Sequence, residues 1–495
     1  MKLRKITALL LGLSLFLTGC GGTAEHKDNK EETTESVSTQ ALTAEHITEP
    51  TTAEKTVRTE PVTATEATTA AHTIEEPKTA AQTVNNNTEN NSHKSSYEQP
   101  QQNHSVPHHE ETQPAETTVT HVHTTTKQTT AYMTTTVHIT TTTAVKITPS
   151  GVLDNMTLKQ KVCQMFMVTP EAITGISPMI EVGNGTKNAI KDYPVGGIIY
   201  FSQNLSSRNQ IKTMISNTQG FSREASGVGL FIAVDEEGGK VARCAQNLGT
   251  TAFKPMEQYG RENNYNTAYD IGAALAKDLR SLGFNVDFAP VADVNIDSGN
   301  ELGDRIFSSD PNVVANMVSG VSKGLQDNGV SATLKHFPGL GAESGNTHTN
   351  SIVVIDRTLE QLRSTEFVPF KKGIESGTDF VMVGHQSVTS FGDELPCDLS
   401  YKAVTEMLRG ELGFDGIAIT DAQQMNTISK VYTSGEAAKL SIKAGMDIIL
   451  MPVDYRAAVD EVCHAVESGE IPESRIDESV MRILQRKNRL GLLKK

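Results

Sequence analysis

The sequence predicts an α/β protein whose folded part, residues 151–495, is a (β/α)8 TIM-type barrel preceded by a disordered, Thr-rich linker. Three observations predict it. Apolar runs of strand length alternate with amphipathic stretches of helical spacing, the pattern of βα units on a parallel sheet. Eight such runs can be counted, enough to close a barrel. Polar residues gather just past the C-terminal ends of five of them, on the rim where barrels build active sites.

The first element is not part of the fold. In residues 1–20, MKLRKITALLLGLSLFLTGC, Lys2, Arg4 and Lys5 stand ahead of an apolar run from Ile6 to Leu17, followed by small residues. This is signal-peptide architecture, and the run is well short of the roughly 20 residues that span a bilayer core. Residues 21–150 are rich in Thr, Glu, Asn, Gln, His and Pro, hold ten of the fourteen histidines and have almost no aliphatic clusters. Such a segment offers too little apolar surface to offset the entropy of ordering. As a coil it would reach on the order of 60 Å. The pairs His108-His109 and His121/His123 lack further chelators at fixed spacing, and no metal or cofactor is expected.

The eight expected strands, in order, are 164–168, 197–201, 230–234, 285–289, 333–336, 379–384, 416–420 and 447–451. Between them, stretches such as 267–283 and 313–329 have helical spacing and end on Gly. Asp235 follows the third strand, Asp293 the fourth, Lys335-His336 ends the fifth, His385 follows the sixth and Asp421 the seventh. Any one carboxylate there could simply cap the next helix. Five strands agreeing on one rim point to a site. His336, His348 and His385 map to that rim, whereas His464 falls in a late amphipathic helix and is read as structural.

A net charge of −15, with no Lys/Arg cluster beyond the leader and the last helix, argues against nucleic acid as a partner. Cys20, Cys163, Cys244, Cys397 and Cys463 show no metal-knuckle spacing, and the last four are expected as small buried residues.

Several ordered motifs carry a resemblance: Met156-Thr157-Leu158, DEEGG from Asp235, FAPVADVN from Phe288, GDRIF from Gly303, KHFPG from Lys335, and GFDGIAIT leading to Asp421. Together they resemble the bacterial β-N-acetylglucosaminidases (β-hexosaminidases) of glycoside hydrolase family 3. The resemblance implies a retaining double displacement at terminal β-linked N-acetylhexosamine, with peptidoglycan fragments as the expected source. It makes Asp421 the nucleophile and His348, on the loop after the fifth strand, the acid/base. An imidazole near its unperturbed pKa of about 6.5 suits both proton transfers near neutral pH. It further assigns Asp235, Arg243, Arg305, Lys335 and His336 to the sugar, and leaves Asp293 and His385 as either direct ligands or supports for Lys335 and Arg305. The Leu17–Cys20 segment resembles a bacterial lipobox, which implies a protein lipid-anchored to the membrane at Cys20 and facing outside the cytoplasm.

Two departures stand out. Family members usually carry an Asp two residues before the His, and this sequence has Asn346-Thr347-His348. Asn can orient the ring but cannot stabilise an imidazolium by charge, unless Glu343 does so instead. Leu340 stands where the family often has His, with no functional reading from sequence. Four rivals are weighed: a β-glucosidase or β-xylosidase of the same family, which usually draws its acid/base from a second domain that this chain is expected to lack; a phosphorylase using phosphate as acceptor; a barrel metallohydrolase, whose first-strand HxH is CQMFMV here; and a non-catalytic sugar-binding lipoprotein. The absence of Trp favours a small exo-acting pocket over a long cleft.

Overall fold

A computed structural model describes residues 147–342 and 352–493. Cys20, Asn346, His348 and Glu343 lie outside the described residues. The described chain forms a nearly closed barrel of eight parallel strands ringed by helices.

The strands are β1 (Phe166–Val168), β2 (Gly197–Ile199), β3 (Phe231–Val234), β4 (Val286–Asp287), β5 (Ser331–Phe337), β6 (Phe380–Val383), β7 (Ile417–Thr420) and β8 (Ile449–Leu450). Each lies within or overlaps its expected run. Neighbours in sequence are neighbours in the sheet, and β1 pairs with β8 through Phe166↔Ile449. A parallel bridge between Ile419 and Ile448 joins β7 to β8 and completes the circuit. All eight are buried on both faces, which is why they read as continuous apolar runs rather than alternating ones.

Two helices show how local sequence sets the frame. The helix Tyr265–Leu282 starts where Asn264 accepts from the amides of Asn266 and Thr267, and ends at Gly283 with φ 101°. The helix Pro311–Asp327 starts with Asp310 accepting from Asn312 and Pro at its first turn. Both begin two residues before the expected positions, because the cap rather than the first apolar residue sets the start. The two pack so closely that a Cβ on Gly324 would fall 2.1 Å from the carbonyl of Tyr269. The first helix, Pro149–Leu153, straddles the composition boundary at residue 150.

The N-terminal end of the barrel is closed by ion pairs. Asp447 takes Arg409 and Arg482, and Asp379 takes Arg486 and Arg489. These charges are used up in holding strands to helices, so they belong to stability. Cys163, Cys244 and Cys397 are buried as expected, but Cys463 is only half-buried because its helix, Tyr455–Glu467, turns that side partly outward. His464 on the same helix is exposed and far from the rim in sequence and topology. No described helix is long and apolar enough to cross a membrane.

Candidate active site

The C-terminal rim encloses a cavity of about 330 Å³ lined by Asp235, Arg243, Arg305, Lys335, His336 and Asp421 together with Glu237 and apolar side chains such as Phe288 and Met382. Six of the residues singled out from sequence therefore converge. A larger groove of about 600 Å³ lies on the outer helices, lined by Arg363, Lys371 and Glu411 among others, and contains none of them.

The DEEGG segment builds one wall. Chain leaving β3 forms a short antiparallel ribbon, Glu236–Gly238 against Val241–Ala242. Gly238 and Gly239, at φ 94° and 56°, make the turn that side chains with a Cβ rarely adopt. The ribbon returns the chain so that Arg243 faces the cavity beside Asp235, their closest atoms 3.6 Å apart.

The centre of the wall is a charge cluster. Lys335 Nζ donates to Asp235 Oδ1 at 2.9 Å and reaches Glu237 Oε1 at 2.6 Å. Arg305 binds Glu237 with two parallel hydrogen bonds, Nε to Oε2 and a terminal nitrogen to Oε1, each 2.8 Å. Burial alone would raise the Glu237 carboxyl, but Lys335 and Arg305 outweigh it and hold it at about 2. Lys335 stays an ammonium for the converse reason: burial opposes its charge, and Asp235 and Glu237 more than restore it. Glu237 was not singled out from sequence. Its signal was present, as a third acid in a run whose first member faces the site.

Asp293 and His385 do not line the cavity. Asp293 is buried and spends its oxygens on three donors: the His336 amide at 3.1 Å, His336 Nδ1 at 2.8 Å, and the Leu340 amide at 2.7 Å. Its hydrogen bonds therefore support His336 and the loop at Leu340, and Arg305, one of the expected partners, feels only its charge. Leu340 gains a role in the same geometry. Its amide donates to the other Asp293 oxygen, Oδ1, and its side chain packs with Val291, Leu302 and Ile306, tying the fifth-strand loop to the segment that carries Arg305. Gly341 continues that contact. Its carbonyl accepts from Ile296 and Asp297, and a Cβ there would lie 1.8 Å from the Val294 carbonyl.

His385 likewise supports a different partner from the one expected. Nδ1 faces Asp398 Oδ1 at 3.0 Å and Nε2 faces the Ala422 carbonyl at 3.1 Å. Both partners can only accept, so both ring nitrogens carry protons and the ring is an imidazolium. Burial pulls its pKa down, but Asp398 and then Asp421 raise it to about 9. Asp398 also accepts from Gln423 at 3.3 Å, so the pair braces the two residues that follow Asp421. Asp398 was missed from sequence, thirteen positions after its partner and on a separate turn, Cys397–Leu399.

Asp421 sits at the end of β7, its amide donating to Val383 and its Oδ1 accepting from Ala422 at 2.7 Å. Burial would raise this carboxyl; His385, His336, the Ala422 amide and Lys335 together bring it below the usual range. Asp421 is thus kept ionised at the cavity, alongside the ion-paired Asp235 and Glu237. Among the described residues, no group of three or more His, Cys, Asp or Glu is arranged to hold a metal ion.

Residues 157–486 match the glycosyl hydrolase family 3 N-terminal domain. The chain is 31% identical over 327 residues to a β-hexosaminidase A of Pseudoalteromonas piscicida, an alignment covering 61% of this chain and 54% of that protein. It is also 31% identical over 298 residues to a β-hexosaminidase of Hydrogenovibrio crunogenus, covering 59% of this chain and 81% of that one. This chain therefore spans about half the length of the first of these relatives and most of the second. Among solved structures, a family 3 β-N-acetylglucosaminidase from Paenibacillus sp. superposes with a TM-score of 0.65 at 36% identity, covering 69% of this chain and 64% of that one.

Proposed function

The chain belongs to glycosyl hydrolase family 3, and from that premise we propose that it is a retaining, exo-acting β-N-acetylglucosaminidase that removes terminal β-linked N-acetylhexosamine. The observation that carries the reading is Asp421: a carboxylate at a strand end, open to a cavity of about 330 Å³, and kept ionised by surrounding cations. The names of the two β-hexosaminidase relatives and of the Paenibacillus enzyme favour the N-acetylated substrate.

In this scheme Asp421 attacks the anomeric carbon and the glycosidic C–O bond breaks as a glycosyl ester forms on its carboxylate. His348 protonates the departing oxygen, then takes a proton from the water that cleaves the ester. Lys335, Asp235, Arg243 and Arg305 hold the sugar hydroxyls, and charged partners of this kind bind more tightly as the ring flattens toward the oxocarbenium-like state. Glu237 keeps Lys335 and Arg305 in register, Asp293 fixes the His336 ring, and the His385–Asp398 pair supports the Asp421 segment.

We further propose that the protein is a lipoprotein, anchored at Cys20 outside the cytoplasm, with residues 21–150 as a spacer and peptidoglycan fragments as the sugar source. A panel of chromogenic β-glycosides, run with and without phosphate, tests the substrate. N-acetylglucosaminide should be turned over best by the wild type, without phosphate dependence, and Asp421→Asn should leave it unhydrolysed. Preference for glucoside or xyloside would overturn the substrate reading, and faster turnover with phosphate would make the protein a phosphorylase.

A further inference from the structure

We propose that Glu236 is a positioning residue for this site, setting Arg243 over the cavity by capping the helix that Arg243 begins. The inference rests on the glycosidase reading only in that Arg243 is taken to bind the sugar.

The three consecutive acids of DEEGG have three separate geometries. Asp235 faces the cavity and Glu237 clamps Lys335 and Arg305, whereas Glu236 points away from both. Its side chain is buried, with Oε2 accepting from the Cys244 amide at 2.6 Å and Oε1 from the Ala245 amide at 2.9 Å. Those are the second and third residues of the helix Arg243–Leu248, whose own cap position is Ala242 and supplies no side-chain acceptor. A carboxylate from seven residues earlier thus does what a local Ser or Asp does elsewhere. Glu236 is itself pinned, since its amide donates to Asp287 Oδ1 at 3.0 Å.

The cap matters because nothing else holds Arg243 firmly among the described residues. Its side chain makes only the 3.6 Å approach to Asp235 and a contact 5.4 Å from the centre of the Phe201 ring. Its Nε is buried and has no hydrogen-bond partner there. The guanidinium therefore goes where the helix backbone puts it, and Glu236 sets that backbone.

The groups facing Glu236 are Asp287 on β4, Asp278 on the helix Tyr265–Leu282, and Arg243 and Cys244 on the capped helix. Burial pushes the Glu236 carboxyl up to about 7; the Cys244 and Ala245 amides and Arg243 pull against that rise, and Asp278 adds to it. Protonation removes the charge that the two amides bind, so the anchor weakens as pH falls through neutrality. Sugar affinity, read as KM, should then fall off on the acid side separately from kcat.

The test measures KM and kcat between pH 5.5 and 8.5 on an N-acetylglucosaminide, with calorimetric Kd for free N-acetylglucosamine. The wild type should show KM rising below about pH 7. Glu236→Gln, which cannot ionise, should show KM raised roughly fivefold at pH 8, about the effect of weakening one cap, and flat across the range. Arg243→Ala should abolish the same limb, and this arm holds even if the Gln variant fails to fold. A wild-type KM profile in Glu236→Gln, or a limb persisting in Arg243→Ala, would overturn the inference while leaving the glycosidase intact. Absence of both turnover and sugar binding in the wild type would instead overturn the function, and the inference with it.

Discussion

Replacing Glu237 by Gln removes a charge shared by the buried Lys335 and the half-buried Arg305, and the structure sets the size of the effect. A carboxyl that ordinarily titrates near 4.5 and is held at about 2 contributes on the order of 3 kcal/mol of stability at neutral pH. The Gln side chain keeps nearly the same shape, so little of the loss comes from packing. Lys335 retains Asp235 at 2.9 Å, but Arg305 exchanges its two 2.8 Å bonds to a carboxylate for at most one to a neutral amide oxygen. Leaving a buried cation unpaired typically costs about 3–5 kcal/mol, which agrees with the first figure. At the lower end of about 2–4 °C per kcal/mol for a domain of this size, the melting temperature at pH 7 should fall by roughly 6 °C. Because the folded-state pKa is depressed, the contribution is present above pH 4.5 and is lost as pH falls toward about 2. Thermal unfolding by circular dichroism at pH 7, 4.5 and 3 should therefore show the gap between wild type and variant shrinking with acid. The variant's kcat/KM should also drop at least about tenfold, as Lys335 and Arg305 lose their fixed spacing. A variant melting with the wild type at pH 7, or a gap that ignores pH, would refute the argument that Glu237 is the electrostatic keystone of the wall.

Three further outcomes follow. Asp398→Asn removes the charge that keeps His385 protonated, so Asp421 loses the cation that acts on it most strongly; the acid limb of kcat/KM should move to higher pH, and an unmoved limb would contradict the brace. Glu236 has a folded pKa raised from 4.5 to about 7, so wild-type stability declines as pH rises across that window. The melting-temperature difference between Glu236→Gln and wild type should accordingly shift in favour of the variant from pH 5 to pH 8, and a constant difference would refute it. Asn346→Asp should raise turnover or push the alkaline limb of kcat upward, since a carboxylate two residues before His348 would stabilise its imidazolium; an unchanged pH profile would assign that task to another acid.

The barrel was legible in the sequence because each strand is buried on both faces and announces itself as an apolar run such as Phe231–Val234 or Ile417–Thr420. The rim residues were legible because the fold places strand ends together whatever the loops do. What could not be read was which polar group each one meets. Glu237 sits two positions after Asp235 in sequence but bonds residues 68 and 98 positions away, and Asp398 reaches His385 from a separate turn. Such pairings depend on loop paths, and loops carry no periodicity to read. Glu236 hid for a different reason: a helix cap is sought immediately before its helix, whereas here a two-glycine turn carries the acceptor back from an earlier strand. Leu340, opaque in sequence, became intelligible once its amide was seen on Asp293.

In the proposed mechanism Asp421 is the residue that becomes covalently glycosylated. A mechanism-based N-acetylglucosaminyl inactivator that traps the glycosyl ester, followed by proteolysis and mass spectrometry, reads this directly. One sugar per protein is expected, on the peptide containing Asp421, and none in Asp421→Asn. A label on any other residue, or full hydrolytic activity in Asp421→Asn, would contradict that mechanism.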